Sequence, residues 1–226
     1  MPVDIKAIAQ KRRAQFARLT PKVKEHRQRA SEIYNNGKTV IASIQQRAKV
    51  QSHVGIIPGF YPIPERLARE MVRSANLFDG CSVLEPSAGA GGIADQIREA
   101  GHEPLCIEIA GSLVPILREK GYTVVHMDFL HYEEQTFDRI ILNPPFERGQ
   151  DIDHVQHAYK LLNPGGRIVA IMSAGTFYRS DNKTSVFRSW FSHRGVSNTD
   201  LPAGTFQSSG TMVTSCLVVI DKPLTP

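Results

Sequence analysis

The sequence has few cysteines, no long apolar run and no metal-ligand pattern, and each of these absences excludes a class of protein. The three cysteines, none in Cys-x-x-Cys spacing, argue against a disulfide framework or a structural zinc site and favour a reducing compartment. No apolar run approaches the roughly 20 residues of a membrane span, and the N-terminus lacks the apolar core of a signal peptide. We therefore expect a cytoplasmic protein that makes no contact with a membrane.

The eight histidines do not form a recognisable metal site. His154 and His157 are three residues apart on a predicted helix, but no third ligand accompanies them. We therefore interpret the pair as part of a polar helix face and expect no metal.

Positive charge is concentrated in one part of the chain. Residues 1–50 carry twelve Lys or Arg against three acids, whereas residues 51–226 carry fifteen against nineteen. Apolar residues in the basic part are spaced for one or two amphipathic helices, interrupted near Thr20-Pro21 and Asn36-Gly37. We predict a basic helical arm over residues 1–55 and a separate α/β domain over residues 56–226.

The arm has two candidate roles. It can bind the phosphates of a nucleic acid, or it can be a solvated helical face that packs on the domain or on a second subunit. A cluster so rich in one charge favours nucleic acid. The candidate phosphate-binding residues are Lys11, Arg12, Arg13, Arg18, Lys22, Lys24, Arg27 and Arg29.

The most informative motif is Asn143-Pro144-Pro145-Phe146, which follows the apolar run Phe137–Leu142. The run is typical of a buried parallel strand, and two successive prolines end it with a stiff, extended segment. A side-chain carbonyl, a backbone carbonyl and an aromatic ring together suit a planar substrate with an exocyclic amine, such as adenine. Taken alone, the motif is equally consistent with a turn that ends the strand and a phenylalanine in the core.

A second motif lies about 55 residues upstream. An apolar strand from Ser82 leads into the glycine-rich turn Glu85-Pro86-Ser87-Ala88-Gly89-Ala90-Gly91, and a helical pattern begins at Ile93. Glycines let a ligand approach the backbone closely, and the helix N-terminus supplies N–H donors. Because Glu85 would repel a phosphate and attract an ammonium or sulfonium group, the turn favours S-adenosylmethionine over a dinucleotide.

Further acids follow the next two predicted strands. Glu108 ends the first of them, where a carboxylate can accept hydrogen bonds from both ribose hydroxyls. Asp128 and Phe129 follow the second, where an aromatic ring can flank adenine. Each acid alone is more often a solvated loop residue or a helix cap. Their repetition at successive strand ends, with Asn143 at the same edge, predicts one ligand site there.

These motifs resemble those of Rossmann-like, class I S-adenosylmethionine-dependent methyltransferases, and especially the gamma-type amino-methyltransferases that make N6-methyladenine in DNA. The resemblance covers roughly residues 59–220 and rests on the glycine-rich turn, the Asn-Pro-Pro-Phe (NPPF) motif and the preceding segment Phe60-Tyr61-Pro62-Ile63-Pro64-Glu65. It implies an α/β fold with a seven-stranded mixed sheet and helices on both faces, in addition to the basic helical N-terminal extension. We predict a turn at Asn163-Pro164-Gly165-Gly166, a fifth strand over Arg167–Met172 and a last hairpin strand over Ser215–Ile220.

The resemblance also assigns roles to residues. Asn143 and the carbonyl of Pro144 would accept hydrogen bonds from the adenine N6 amine, which attacks the cofactor methyl group directly, and Phe146 would stack on the flipped base. The implied catalytic residues are Asn143, Pro144, Pro145 and Phe146. The implied cofactor-binding residues are Phe60, Tyr61, Pro62, Glu85, Pro86, Ser87, Ala88, Gly89, Gly91, Glu108, Ile109, Asp128, Phe129 and Asn143.

Cysteine use agrees with an amine substrate. Cytosine C5 methylation needs a thiolate nucleophile, usually in a Pro-Cys pair, whereas no cysteine here follows a proline. Cys81, Cys106 and Cys216 lie in or beside apolar strand-like runs and are expected in the core. The preferred function is therefore methyl transfer from S-adenosylmethionine to a flipped adenine in duplex or single-stranded DNA.

One departure from the family concerns target recognition. Gamma-type enzymes usually carry a separate recognition domain after the catalytic domain, but this sequence ends within a few residues of its last predicted strand. The target would then be read by loops and the basic arm, by a specificity subunit or by a second copy of the chain. An enzyme of a restriction-modification system, a phage or a mobile element would fit this small size. Residues 173–194 face the substrate in the family, although Phe187, Trp190 and Phe191 have the spacing of core residues.

Three alternatives to DNA methylation stay open. An rRNA methyltransferase acting on a guanine N2 or adenine N6 amine would use the same chemistry, and such enzymes commonly have a basic extension. A protein glutamine methyltransferase fits less well, because those enzymes usually have Tyr at the position of Phe146. A non-catalytic subunit of the same fold typically loses the catalytic tetrapeptide or the glycine-rich turn, and both are present here.

Overall fold

The computed structural model describes residues 62–206 and 213–224, so the predicted basic arm and the residues Phe60 and Tyr61 lie outside the described part. The described helices are α1 (Glu65–Ala75), α2 (Gly92–Glu99), α3 (Val114–Glu119), α4 (Gln150–Lys160) and α5 (Asn182–Ser192). The strands are β1 (Val83–Pro86), β2 (Pro104–Glu108), β3 (Thr123–His126), β4 (Phe137–Leu142), β5 (Leu162–Ser173), β6 (Gly195–Asp200) and β7 (Ser215–Asp221). Short 3-10 helices cover Phe129–His131, Glu147–Gly149 and Ala174–Phe177.

The seven strands form one mixed sheet in the order β3-β2-β1-β4-β5-β7-β6. Strands β1 to β5 pair in parallel, and β7 runs antiparallel to both β5 and β6. The strand order reverses between β1 and β4, because β2 and β3 lie on one side of β1 and β5 lies on the other side of β4. In open α/β sheets, ligands bind in the crevice at the carboxyl ends of strands where such a reversal occurs. The predicted Rossmann-like, seven-stranded mixed sheet is confirmed.

Helices cover both faces of the sheet, as predicted. Strand β4 shows which helices cover which face of the sheet, because successive side chains of a strand point to opposite faces. Ile141 packs on one face in a core that includes residues of α1 and α2, such as Met71. Ile140 packs on the other face with residues of α4 and α5, such as Val155 and Phe187. Burial on both faces explains why residues 140–142 of β4 are consecutively apolar.

Helix α1 was not predicted. Its buried residues form an apolar stripe at helical spacing, which faces the sheet. They are Leu67, Ala68, Met71, Val72 and Ala75. Asn76 ends the helix in the left-handed conformation, with a φ of 50°.

Other elements also differ from the predictions, and helix α3 was likewise not predicted. Strand β6 was not predicted, and most of its residues are exposed at the edge of the sheet. The predicted turn at Asn163-Pro164-Gly165-Gly166 instead lies within β5, where the pairing with β4 shifts register. This bulge places Gly165 at a φ of 75°, a conformation that glycine adopts without steric cost. In the described ranges, no helix has the length and apolar character needed to cross a membrane.

Candidate functional site

The glycine-rich turn lies at the carboxyl end of β1, beside the reversal of strand order. Ser87, Gly89 and Gly91 have positive φ angles of 64°, 57° and 84°. Glycine adopts such angles easily, whereas a side chain at Ser87 makes the conformation unfavourable. The turn is attached to β2, because the N–H of Ala88 donates to the carbonyl of Ile107 at 2.9 Å.

The carboxylate of Glu108 organises the turn from the end of β2. Its Oε2 accepts a hydrogen bond from the N–H of Gly89 at 2.6 Å, and its Oε1 accepts one from the N–H of Ala110 at 2.7 Å. An ionised carboxylate has about four acceptor sites, so these two bonds leave capacity for ligand hydroxyls. The next residue, Ile109, is 63% exposed. An acceptor for hydroxyls beside an exposed apolar side chain suits a nucleoside, so the geometry fits the predicted cofactor roles of Glu108 and Ile109.

The side chain of Glu85 is buried, whereas its predicted role is to attract a positively charged group of the cofactor. Burial is the largest cause that raises its pKa well above the usual value, and the charge of Asp95 adds to the shift, while N–H groups of Ile93 and Ala94 oppose it. A carboxyl group with a raised pKa holds its negative charge poorly, so the predicted attraction of an ammonium or sulfonium group is weakened. Its Oε2 makes no hydrogen bond to any residue of the described ranges.

The residues after β3 only partly match their predicted placement. Asp128 is partly exposed, and its Oδ1 accepts a hydrogen bond from the N–H of Leu130 at 2.9 Å. Phe129 is 2% exposed, and its ring packs against the rings of His154 and His157 at centroid distances of 5.5 and 4.9 Å. Phe129 is therefore a core residue, and the expectation that it flanks adenine is wrong, because it presents almost no surface to a ligand.

The NPPF motif begins directly after β4, and β4 pairs with β1. The motif and the glycine-rich turn therefore follow the carboxyl ends of adjacent strands, on the two sides of the reversal. Pro144 is buried, while Asn143 and Phe146 are partly exposed. The Phe146 ring packs edge-on against Phe206, with 6.2 Å between centroids. The structure thus places the predicted catalytic and cofactor segments at the same edge of the sheet, after adjacent strands.

The described part of the predicted Phe60–Glu65 segment lies beside the start of α2. A Cβ placed on Gly92 would lie 2.8 Å from Cγ2 of Ile63, so these two residues are in close contact. Gly92 directly follows the glycine-rich turn. Ile63 therefore contacts the structure that follows the turn, and the neighbouring Pro62 is exposed.

Asp151 is a buried residue near the motif that was not singled out from the sequence. It lies in the first turn of α4 and is 0% exposed. Its Oδ2 accepts hydrogen bonds from the N–H of Ser173 at 3.0 Å and from the hydroxyl of Thr176 at 3.2 Å. Burial raises its pKa, and these bonds oppose the shift. Asp151 thus ties the segment after Phe146 to the end of β5. In the sequence it is indistinguishable from any acid in the first turn of a helix.

His154 and His157 are buried, which corrects the expectation of a polar helix face. They are 6% and 8% exposed and pack against Phe129. Burial lowers the pKa of His154 to about 4, although the charges of Asp128 and Asp153 oppose this shift. Among the residues that the structure describes, no group of three His, Cys, Asp or Glu side chains could hold a metal ion.

The three cysteines are free and buried, as predicted for core residues. Burial raises the pKa of Cys216 to about 12 and raises that of Cys106 still further above its ordinary value. These two side chains therefore stay protonated at neutral pH and are unsuited to nucleophilic catalysis.

A family model described as the methyltransferase small domain matches residues 113–192, roughly a third of the chain. No curated protein matches the sequence. Three solved structures illustrate the likeness in fold. The first is a modification subunit assigned to a type I restriction enzyme of Vibrio vulnificus, with 20% identity, a TM-score of 0.67, and coverage of 85% of this chain and 50% of that one.

The second is a protein assigned as a class I S-adenosylmethionine-dependent methyltransferase of Listeria monocytogenes, with 13% identity, a TM-score of 0.64, and coverage of 83% and 68%. The third is a protein assigned as an RNA methyltransferase of Pyrococcus horikoshii, with 19% identity, a TM-score of 0.54, and coverage of 73% and 86%. The chain spans half the length of the Vibrio protein. At these identities the likenesses establish a shared fold.

Proposed function

We propose that this chain, a class I S-adenosylmethionine-dependent methyltransferase by fold, transfers a methyl group to the exocyclic N6 amine of adenine in DNA. The observation that carries the proposal is the position of NPPF. It follows β4 at the reversal of strand order, next to the glycine-rich turn that follows β1. A donor of a methyl group and an acceptor amine need such adjacent sites, because direct transfer requires the two reacting groups to be held close together.

The fold and the matched family support S-adenosylmethionine as the cofactor. When bound, it supplies an electrophilic methyl group. Glu108 would hold the ribose hydroxyls, and Ile109 would contact the adenine ring of the cofactor. The glycine-rich turn is held in place by its own contacts, because the N–H groups of Ala88 and Gly89 donate to Ile107 and Glu108. The chemistry of these residues therefore fits the groups that the cofactor carries.

The target amine would be oriented by acceptors at the start of the NPPF motif. The side-chain carbonyl of Asn143 and the backbone carbonyl of Pro144 can each accept one N–H bond of an exocyclic amine. Two such bonds direct the nitrogen lone pair away from the acceptors and stabilise the positive charge that develops as the nitrogen gains a fourth substituent. The partly exposed ring of Phe146 would stack on the base and offset part of the cost of extruding it.

DNA is the preferred substrate for two reasons. The order of the cofactor turn and NPPF along the chain is similar to that of gamma-type DNA adenine methyltransferases. The Vibrio protein of similar fold is a modification subunit assigned to a type I restriction enzyme. By analogy, we propose that this chain works with a specificity subunit or with a second copy of itself.

RNA is the second candidate substrate. The chain spans 86% of the Pyrococcus protein assigned as an RNA methyltransferase, compared with half of the Vibrio protein. The amine chemistry would be the same on a guanine N2 or an adenine N6 of ribosomal RNA. The substrate therefore has to be decided by identifying the product.

The deciding experiment incubates the full chain with radiolabelled S-adenosylmethionine and, separately, duplex DNA, single-stranded DNA and ribosomal RNA. Each product is digested to nucleosides, and the labelled nucleoside is identified. N6-methyladenine from DNA is the expected result, with Asn143→Ala as the background control. Label in RNA alone would mean that RNA, the second candidate, is the substrate instead of DNA. Absence of label from all three would point to a protein substrate or a missing partner and would overturn DNA methylation by the isolated chain.

We further propose that the basic residues of the arm, Lys11 to Arg29, bind nucleic-acid phosphates. Replacing all eight predicted phosphate-binding residues with glutamine should weaken nucleic-acid affinity and flatten its dependence on salt, because each phosphate contact releases counterions. Binding is measured by fluorescence anisotropy at several salt concentrations. An unchanged salt dependence would favour the alternative in which the arm packs on a protein surface.

A further inference from the structure

Ser87 is held in a left-handed conformation within the glycine-rich turn. Its φ of 64° lies in a region that residues with side chains rarely adopt. Such a residue persists where the surrounding contacts hold it in place. The side chain of Ser87 makes one such contact, because its Oγ lies 3.3 Å from Nδ1 of His154.

His154 reaches Ser87 from α4, the helix that begins directly after the Glu147–Gly149 turn behind NPPF. The imidazole is 6% exposed and packs against Phe129. Burial lowers the pKa of His154 to about 4, so the ring is neutral at neutral pH and has one donor and one acceptor nitrogen. A serine hydroxyl can both donate and accept, so the bond to Nδ1 forms with either tautomer.

We propose that His154 is a positioning residue that holds Ser87 in its left-handed conformation and thereby couples α4 to the cofactor turn. The inference rests on the proposed function, which assigns this turn to the cofactor. Side chains from two different elements then fix the turn, since His154 holds Ser87 from α4 and Glu108 holds Gly89 from β2. A turn that is fixed in advance loses little conformational entropy when a ligand binds.

The contact between His154 and Ser87 also connects the NPPF segment with the glycine-rich turn. Helix α4 follows the NPPF segment, and its first turn is tied to β5 through Asp151. A displacement of this helix would therefore act on both the NPPF segment and Ser87. Through His154, the position of the glycine-rich turn depends on α4, the helix that follows the NPPF segment.

A purely structural role for His154 predicts a different result. If packing against Phe129 were its only function, an apolar side chain of similar size would replace it. His157 provides an internal comparison, because it is on the same helix, similarly buried and in contact with the same ring. Its Nε2 lies 2.9 Å from the carbonyl oxygen of Tyr132 instead of near the cofactor turn. The two histidines thus share their packing and differ in their polar partners.

The test measures binding of S-adenosylhomocysteine to the full chain by isothermal titration calorimetry. His154→Leu removes the bond and keeps most of the bulk, so the Kd should rise about 2- to 10-fold, the effect of one net hydrogen bond. His154→Asn, whose amide can replace Nδ1, should stay within about twofold of the wild type. Ser87→Ala should weaken binding as His154→Leu does. The double variant should be no weaker than either single variant, because both remove the same bond.

Two more variants distinguish the hydrogen bond between His154 and Ser87 from effects of backbone strain and of packing. Ser87→Gly should bind more tightly than Ser87→Ala, because glycine adopts the required φ without strain. His157→Leu should lower the melting temperature without changing the Kd. In steady-state kinetics, His154→Leu should raise the KM for S-adenosylmethionine more than it lowers kcat. If His154→Leu fails to fold, the Asn variant and the two Ser87 variants still provide the test.

Unchanged affinity in His154→Leu, or additive losses in the double variant, would overturn the inference. Tighter binding by Ser87→Ala than by Ser87→Gly would do the same. These failures differ from failure of the proposed function. If the wild-type chain itself does not bind S-adenosylhomocysteine, the assignment of a cofactor site is wrong and this inference is lost with it.

Discussion

The two halves of the candidate site lie on either side of the strand reversal, the glycine-rich turn with β1 to β3 in one and the NPPF motif with β4 in the other, and they make different kinds of contact. In the first half, charged side chains bond to the backbone of the glycine-rich turn. Glu108 accepts from Gly89, and the ammonium group of Lys120 donates to the carbonyl of Ala90 at 2.7 Å. Beside the NPPF motif the contact is aromatic, since the Phe146 ring packs edge-on against Phe206.

This difference suits the ligand that each half would hold. Hydrogen bonds to charged groups are directional and determine where each backbone group points. A cofactor with fixed hydroxyl and amino groups benefits from that precision. Aromatic packing has broader geometric preferences and offers a face to any planar base. We therefore expect substitutions in the first half to change cofactor affinity and substitutions in the second half to change target binding or turnover.

The largest expected effect is that of Asn143→Ala in the target half. Turnover should fall about 10²- to 10³-fold, because the variant removes an acceptor that orients the reacting amine. Affinity for S-adenosylhomocysteine should stay nearly unchanged, because the contacts proposed for Glu108 and the glycine-rich turn do not involve the Asn143 side chain. The measurement combines single-turnover methylation of DNA with calorimetric binding of S-adenosylhomocysteine.

Asn163→Ala is the matched control for this prediction. Asn163 is also partly buried, but its amide donates to Asp138 near the start of β4, away from the carboxyl ends of the strands. This variant should lower stability and leave turnover per folded molecule close to that of the wild type. Similar losses of turnover in the two variants would mean that Asn143 acts through stability rather than through the amine.

The next effect in size is that of Glu108→Gln in the cofactor half. The amide nitrogen of glutamine cannot accept a hydrogen bond, so the N–H of Gly89 or that of Ala110 would lose its partner. Affinity for S-adenosylhomocysteine should fall about 10- to 100-fold, as expected for hydrogen bonds to a charged group. Glu103→Gln is the control, because Glu103 is an exposed acid at the other end of β2 that pairs with Arg98. Equal affinities for S-adenosylhomocysteine in Glu108→Gln and Glu103→Gln would contradict the expectation that the first half determines cofactor affinity.

Much of the fold and the cofactor half could be predicted from the sequence. Short apolar runs, such as residues 140–142, mark parallel strands that are covered on both faces, and an acid at the carboxyl end of a strand must lie at that edge of the sheet. Glu108, Asp128 and Asn143 were placed correctly by this rule alone. Helix α1 also had a signal in its apolar stripe, although it was not predicted. Strand β6 had none, because an exposed edge strand needs no apolar run.

The errors concern burial and side-chain contacts. Glu85 and Phe129 follow the same rule for strand ends, yet both are buried, as is Glu108. The rule determines where a residue lies along the sheet and not how deeply its side chain is covered. From the sequence, His154 is interpreted as part of a polar helix face, and Asp151 is not singled out. Their partners, Ser87 and Ser173, are 67 and 22 residues away, and contacts at such separations leave no local pattern in the sequence.

The smallest expected effect concerns His154, which lies where the two halves meet. Burial lowers the pKa of His154 from 6.5 to about 4 in the folded chain. Between these pH values the unfolded chain therefore binds more protons than the folded chain, and stability must fall as the pH falls. Acidification from about pH 7 to about pH 5.5 should cost about 1 kcal/mol through this one residue. Urea unfolding of the wild type and of His154→Asn at both pH values isolates this contribution. The wild type should lose more stability than the variant, and equal losses would mean that the His154 ring is not kept neutral by burial between the two halves.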